Sequence, residues 1–415
     1  MNREFSRSGT IRLVFIFAIY GLCQAIQEYR VLLLSDLGMS AAECGYVLAA
    51  TSLLVVIARP LSGAIADKLR SRRGIFIFIN AVWIAVMVTL IFFAQVRIAT
   101  FVLCAGVIPI MGICNNTSYG MVEAEGVTYC LKNPKVDYSL IRMCLSIGYC
   151  GINYLYTPIV NRFGLRAPFV CTMVWVIILM VVSLTDRSFG KYDADSVQTK
   201  KAKKEKLDFG ELFKSYFLIV FVAASFFQYL GGCTSSYLVY LLREVGMNES
   251  AVGIAAGIRV TGEILIMPLV PFLKKKISIP MLQLVACGFQ VIQMVVCIFC
   301  RVPWILVGII ICSGFAGGIT LSTTAVYLRM LAPEKLITTT MSLCSITQNL
   351  GSVLSCLFGG IIIEAIGIFS LYKIALGCYL TWYVLYIGTW LIGVYVLKKK
   401  PPIPMFLRKG EGAQW

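Results

Sequence analysis

GMSAAECGYVLAATSLLVVIARPLSGAIADKLRSRR, residues Gly38 to Arg73, occurs twice in outline. A shift of 208 positions places Gly38-Met39 on Gly246-Met247, Gly45 on Gly253, and Pro60-Leu61 on Pro268-Leu269. The upstream flank repeats as well: Tyr29 falls on Tyr237, Leu33-Leu34 on Leu241-Leu242, and Asp36 on Glu244. The period is about half of the 415 residues, far longer than a solenoid unit. Two copies in the same order, in a chain this apolar, point to a membrane carrier built from two halves.

Composition supports the membrane. Hydrophobic residues make up 59% of the chain and charged residues only 14%, where soluble domains hold about a quarter charged. Mean hydropathy is +0.84. The formal charge of +17 does not indicate nucleic acid, because the basic residues sit in short loops between apolar runs instead of on one soluble face. The 16 cysteines are scattered singly through apolar segments and read as small core residues. Cys297 and Cys300 form a CxxC without a second pair, so neither a metal nor a redox role is expected, and no cofactor is called for. The chain has no His, which removes a Ser-His-Asp triad, His-ligated zinc and a His proton relay together. No nucleophile and base stand at useful spacing, so an enzyme is not expected. The start, Met-Asn-Arg-Glu, shows no signal-type cleavage site, and the first apolar run is expected to remain as a span.

A span needs about 20 mostly apolar residues. Twelve runs qualify: 12–34, 42–66, 74–95, 98–121, 138–160, 167–185, 215–242, 250–273, 279–300, 303–327, 338–362 and 373–397. The fold class expected is therefore all-α integral membrane, with twelve transmembrane helices in two six-helix bundles. The bundles cover 1–185 and 215–397, joined by a basic linker at 186–214 and followed by a tail at 398–415. Loops on one side carry 27 Lys and Arg against six on the other, which puts both termini in the cytoplasm. The linker holds KKAKKEK at Lys200–Lys206, a polar run that reads as a flexible tether, with lipid headgroup contact as the alternative. Span starts carry caps: Ser40 and Glu43 form a capping box before the second span, and Asn248 holds the matching place before the eighth. Pro109, Gly112, Pro158, Pro268, Gly314, Gly317 and Gly318 interrupt spans and are expected to serve packing or bending before binding.

The stretch GAIADKLRSRR, Gly63 to Arg73, follows the second span, and its Asp67 with Lys68, Arg72 and Arg73 suits a cytoplasmic latch between helices. It resembles the loop signature of the major facilitator superfamily, G-x-x-x-D-[RK]-x-G-[RK]-[RK]. It departs where Leu69-Arg70 replace the second glycine. Ala49 to Leu69 is similar to the matching stretch of the lactose permease and oligosaccharide/proton symporter branch, and nucleoside symporters stand near the same branch. Further likenesses are Val122-Glu123-Ala124, the run DYSLIRMCLSIGY at Asp137–Tyr149, and Gly262-Glu263. In the second of these, Arg142 and Gly148 match, whereas Ser139 and Leu145 stand where glycines are expected.

That resemblance implies Glu123, Arg142 and Glu263 as a substrate-site core. The residues alone allow the same reading, because a charge at bilayer depth costs roughly 2.5–3.5 kcal/mol on insertion scales and needs a partner or a wet cavity. Arg142 can pair with Glu123 and offer a planar fork to hydroxyls or a carboxylate. A purely structural ion pair is the competing account. Arg259 and Glu263 are spaced i and i+4 on one helix, so they either neutralise each other or add to the site. Glu28 and Arg30, in QEYR at Gln27–Arg30, depart from the permease pattern and read as substrate-site charges or as a gate pair. Asn115, Asn116, Gln228, Gln348 and Asn349 supply amides for a polar ligand or for bonding between helices.

The branch's proton machinery is an Arg, a His and a Glu in spans nine and ten. Here Gln293, Ser313 and Ala316 stand near those places, so that route is not carried over. Proton coupling would then fall to Glu263, Glu28 or Glu123, with facilitated or sodium-coupled transport as the other options. The reading is a monomeric plasma-membrane carrier of a small polar solute, sugar or nucleoside-like, with a proton as co-substrate, the bilayer as its surroundings and no nucleic acid. An exporter of amphipathic compounds is the runner-up, and a carrier-like solute sensor comes third.

Overall fold

The computed structural model describes residues 7–69, 72–98, 101–133, 136, 138–185, 215–332, 336–399, 401 and 404–405. Twelve long helical elements follow in chain order. The first, α1, runs as Arg7–Gln24, a 3-10 turn Ala25–Tyr29 and Arg30–Asp36. Next come α2 (Ala41–Leu69), α3 (Arg72–Phe92), α4 (Leu103–Lys132), α5 (Tyr138–Phe163) and α6 (Ala167–Thr185). In the second half, α7 joins Tyr216–Leu230, a 3-10 turn Gly231–Ser235 and Leu238–Glu244. The helix α8 joins Glu249–Ala251, Val252–Ile266, Met267–Leu269 and Val270–Lys274. The remaining four are α9 (Ile279–Phe299), α10 (Pro303–Ile309 with Ile311–Leu331), α11 (Ile337–Ile366) and α12, which starts as Ile368–Tyr383 and ends in the π-helical turn Ile392–Val396. A two-residue antiparallel pairing, Arg97–Ile98 with Phe101–Val102, closes the α3–α4 loop.

Local sequence explains the starts. Ser40 N donates to Glu43 Oε2 at 2.8 Å and Glu43 N to Ser40 Oγ at 3.2 Å, a complete capping box before α2. In the second copy Ser250 N donates to Asn248 Oδ1 at 3.0 Å, so the expected cap forms there too. Gly38 and Gly246, matched by the repeat, both take positive φ, +82° and +71°, in the turns after α1 and α7.

Ten of the helices are long and apolar enough to cross a membrane among the described residues. The two outside that set are α4 and α5, whose Asn, Tyr, Ser, Gly and charged residues dilute the apolar ones. Apolar side chains such as Phe78, Phe299 and Val384 stay largely exposed, as a surface facing lipid requires. The protein is thus a multi-pass membrane protein. Several expected boundaries move: α12 starts at Ile368 instead of 373, and α4 starts at Leu103 and continues past 121 to Lys132, which carries Glu123 well inside the helix.

The chain divides into two units, Met1–Ala202 with Asn248–Gly257, and Lys203–Met247 with Ile258–Trp415. In the first, α1 lies against α5 and Phe17, Tyr20, Trp83, Tyr156 and Phe169 are buried. Tyr156 shares a hydrogen bond with Thr172 Oγ1 at 2.8 Å and meets Tyr29 edge-on. In the second, Val270, Leu282, Ala286, Ala316 and Ile319 form one cluster among α8, α9 and α10. The helices α8 and α10 touch backbone to backbone: a Cβ added at Gly314 would strike the carbonyl of Arg259, and one at Gly262 would lie 2.6 Å from the Ile311 carbonyl. Gly317, one residue before Gly318, which packs against the Ile266 side chain, faces open space. Gly314→Ala is therefore expected to destabilise the protein by about 1–3 kcal/mol, the usual cost of overpacking, while Gly317→Ala leaves the unfolding midpoint in detergent unchanged. Equal midpoints for both variants would remove the packing account of Gly314.

Candidate functional site

In the first unit, charged and tyrosine side chains of α1, α4 and α5 meet. On α5, Tyr138, Arg142 and Tyr149 are spaced i, i+4 and i+11, which puts them on one face. Asn116, Tyr119 and Glu123 share a face of α4 in the same way. The meeting of α1 with α5 rests on two glycines. A Cβ on Gly148 would strike the Ala18 carbonyl, and one on Gly21 would strike the Leu145 carbonyl. This close approach brings Tyr149, the residue after Gly148, onto α1.

Arg142 is the centre. Its Nη1 donates to Glu123 Oε1 at 3.2 Å and to the hydroxyl of Tyr119, whose ring centroid lies 5.8 Å from the guanidinium carbon. Glu123 Oε1 also accepts from Tyr119 Oη at 3.3 Å and from Tyr138 Oη at 3.4 Å. Arg142 and Glu123 nevertheless keep 25% and 37% of their side chains exposed. A pair serving only to neutralise itself within a lipid-embedded bundle is expected to be sealed, because a charge facing hydrocarbon is costly. This pair is open, which is the condition for meeting water or a solute.

A second polar group lies further along the same helices. The Tyr149 hydroxyl donates to Glu28 Oε1, on the 3-10 turn of α1. Arg30 Nε turns back to the Gln27 carbonyl at 2.9 Å. Tyr20 Oη donates to the Asn115 carbonyl at 2.7 Å, tying α1 to α4. Two buried amide donors, Gln27 Nε2 and Asn115 Nδ2, have no acceptor among the described residues. Buried donors are nearly always satisfied, so these two mark where a water or a ligand oxygen belongs.

The other expected site residues are placed as follows. Asn116 Nδ2 donates to the Gly112 carbonyl at 2.9 Å and Asn349 Nδ2 to the Ser345 carbonyl at 2.8 Å, four residues back on their own helices. Gln348 Nε2 is 3.4 Å from Cys344 Sγ. Arg259 and Glu263 are half-buried on α8 in the second unit, where the glycine contact with α10 holds their backbone. Gln293 is buried, and its Oε1 has no donor among the described residues. Of the expected cytoplasmic latch, the side chains of Asp67 and Lys68 lie outside the described residues, as does the linker at 186–214. Arg73 donates to the Leu184 carbonyl in the last turn of α6, a brace on a helix C-terminus. All 16 cysteines are free, and no group of residues able to hold a metal ion occurs among the described residues.

Sequence reasoning overlooked the tyrosines. Tyr119, Tyr138 and Tyr149 hydrogen-bond to Glu28, Glu123 and Arg142, and Tyr20 anchors Asn115. The available signal was spacing: Tyr119 precedes Glu123 by four residues and Tyr138 precedes Arg142 by four.

Twelve long helices, a repeated half and an open polar cluster within apolar segments define a membrane transporter. The model of the MFS_1 like family matches residues 11–374, and the chain belongs to this family, of major facilitator type. No curated protein matches the sequence. Among solved structures, a mutant of the nucleoside transporter NupG superposes with a TM-score of 0.75 at 17% identity, over 92% of this chain and 99% of that one. A D-xylose-proton symporter gives 0.69 at 14%, over 93% and 96%. A mutant of the peptide transporter POT in complex with alafosfalin gives 0.69 at 14%, over 94% and 96%. At these identities the likeness is one of fold.

Proposed function

We propose that the protein is a secondary active transporter that moves a small polar solute, sugar or nucleoside-like, across the plasma membrane by alternating access with proton symport. Both termini are taken as cytoplasmic, from the excess of Lys and Arg in the loops on their side. The observation that carries the reading is the open Arg142–Glu123 pair with its tyrosines. A guanidinium, a carboxylate and phenol hydroxyls in one place offer both donors and acceptors to ring hydroxyls, and the ring of Tyr119 offers a flat apolar face. The unsatisfied donors of Gln27 and Asn115 extend this surface along α1 and α4. Glu28, Arg30, Asn116, Arg259 and Glu263 complete the proposed site, and Glu28, Glu123 and Glu263 are the carboxylates available to carry a proton. Asp67, Lys68, Arg72 and Arg73 are assigned to the cytoplasmic gate. Two structural neighbours, a nucleoside transporter and a D-xylose-proton symporter, support this solute class and coupling.

The test is a thermal-shift screen of the purified protein against sugars, nucleosides and organic anions, followed by uptake of any hit into proteoliposomes. A hydroxyl-rich solute is expected to raise the unfolding midpoint and to accumulate against its gradient when a proton gradient is imposed. Stabilisation by amphipathic cations alone would replace this reading with that of an exporter.

A further inference from the structure

At the end of the first unit remote from the N-terminus, a cleft of about 270 Å³ opens among the end of α1, the residues after α3 and the α5–α6 turn. Its walls include Leu33, Leu37 and Phe163, which are apolar, and Asp36, Gln95 and Arg166, which are not. The volume is below the roughly 300–1,000 Å³ of pockets that enclose a drug-sized molecule, so it suits a small polar head.

The two charges have no structural explanation. Asp36 is the last residue of α1, and Arg166 immediately precedes α6, where its carbonyl accepts from Phe169 N and Val170 N. An acid at a helix C-terminus and a base at a helix N-terminus both oppose the dipole of the helix that holds them. Both side chains are exposed, and neither has an ion-pair partner among the described residues, although they line the same cleft. A bound group with the complementary pair of charges would correct both faults. An ammonium at Asp36 meets the carboxylate and the carbonyl end of α1 together. An oxyanion at Arg166 meets the guanidinium beside the positive end of the α6 dipole, although the first-turn amides of α6 are already engaged with the Gly164 and Arg166 carbonyls.

We propose that this cleft binds a small zwitterion in which a primary ammonium and a phosphate are a few bonds apart. Two sources present that chemistry: the headgroup of a phospholipid such as phosphatidylethanolamine, and a free phosphoamine. The position at helix ends, with Phe163 at 69% exposure on the rim, places the cleft within reach of a headgroup. The site is separate from the Arg142 cluster and does not depend on the transported solute.

Native mass spectrometry of the full chain released from nanodiscs of phosphatidylethanolamine and phosphatidylglycerol tests the proposal, with a parallel thermal-shift titration of O-phosphoethanolamine. Retention of phosphatidylethanolamine over phosphatidylglycerol is expected, weakened about tenfold by Asp36→Asn or Arg166→Gln. Arg162→Gln removes an exposed charge one turn earlier, outside the cleft, and should leave retention unchanged. Retention of the lipid without stabilisation by O-phosphoethanolamine identifies a headgroup site, and stabilisation by the soluble compound identifies a site for the free phosphoamine. Equal retention of the two lipids with no response to O-phosphoethanolamine, or binding indifferent to both Asp36→Asn and Arg166→Gln, overturns the proposal.

Discussion

Arg142→Ala is expected to reduce solute uptake to background while the protein still folds and inserts. The substitution removes the donor that Glu123 and Tyr119 share, and leaves the Glu123 carboxylate with two phenol hydroxyls among the described residues, at 3.3 and 3.4 Å. Where a charged or hydroxyl group of the solute shares the Arg142 fork, truncating that side of the contact costs about 2–5 kcal/mol in affinity. The partial exposure of this pair points to the lower end, about thirtyfold in binding. Arg142→Lys keeps the charge but not the planar fork, so it should restore stability more fully than uptake. The measurement is initial-rate uptake into proteoliposomes, with size-exclusion profiles to show that the variants are intact. Normal uptake by Arg142→Ala would leave the pair as a structural brace and move the site elsewhere.

The second large effect concerns coupling. Glu28→Gln is expected to abolish solute-driven alkalinisation outside proteoliposomes while solute counterflow persists, because exchange does not require the carboxylate to release its proton. Tyr149→Phe, which removes the hydroxyl donated to Glu28, should shift the pH dependence of uptake without abolishing it. Glu263→Gln, on α8, serves as the comparison. If proton movement survives Glu28→Gln and vanishes in Glu263→Gln, the proton is carried on the second half of the chain.

The fold was legible because its signals are long and redundant. Twelve apolar runs, a repeat that brings Gly38 onto Gly246 and Ser40 onto Asn248, and caps that form at both places agree with one another. The candidate site was legible only at its charges. Glu123 and Arg142 stand out in apolar surroundings, and their meeting follows from their helices. Of the tyrosines, Tyr119 and Tyr138 were marked only by their four-residue spacing to Glu123 and Arg142, and Tyr149 by nothing, since a Tyr in a membrane helix reads as bulk until its neighbours across the interface are known. Glu28 illustrates the limit: QEYR placed it beside Arg30 in sequence, yet its hydroxyl partner is Tyr149, 121 residues away. That contact depends on the close approach at Gly21 and Gly148, which needs both helices at once.

The Arg142 cluster is carried by α4 and α5, the two helices too weakly apolar to count among the ten able to cross a membrane on their own. A segment leaves the translocation channel for lipid according to its own apolarity, and α4 is made before α5 exists. With Glu123 and Glu125 still unmatched, α4 has weak grounds to partition alone. It enters the bilayer most readily against helices already there, or once Arg142 has followed and neutralised Glu123. Correct insertion of this half is therefore a collective event. Apolar replacements at the cluster should raise the yield of inserted protein as they extinguish transport, so a selection for expression alone would tend to erase the site.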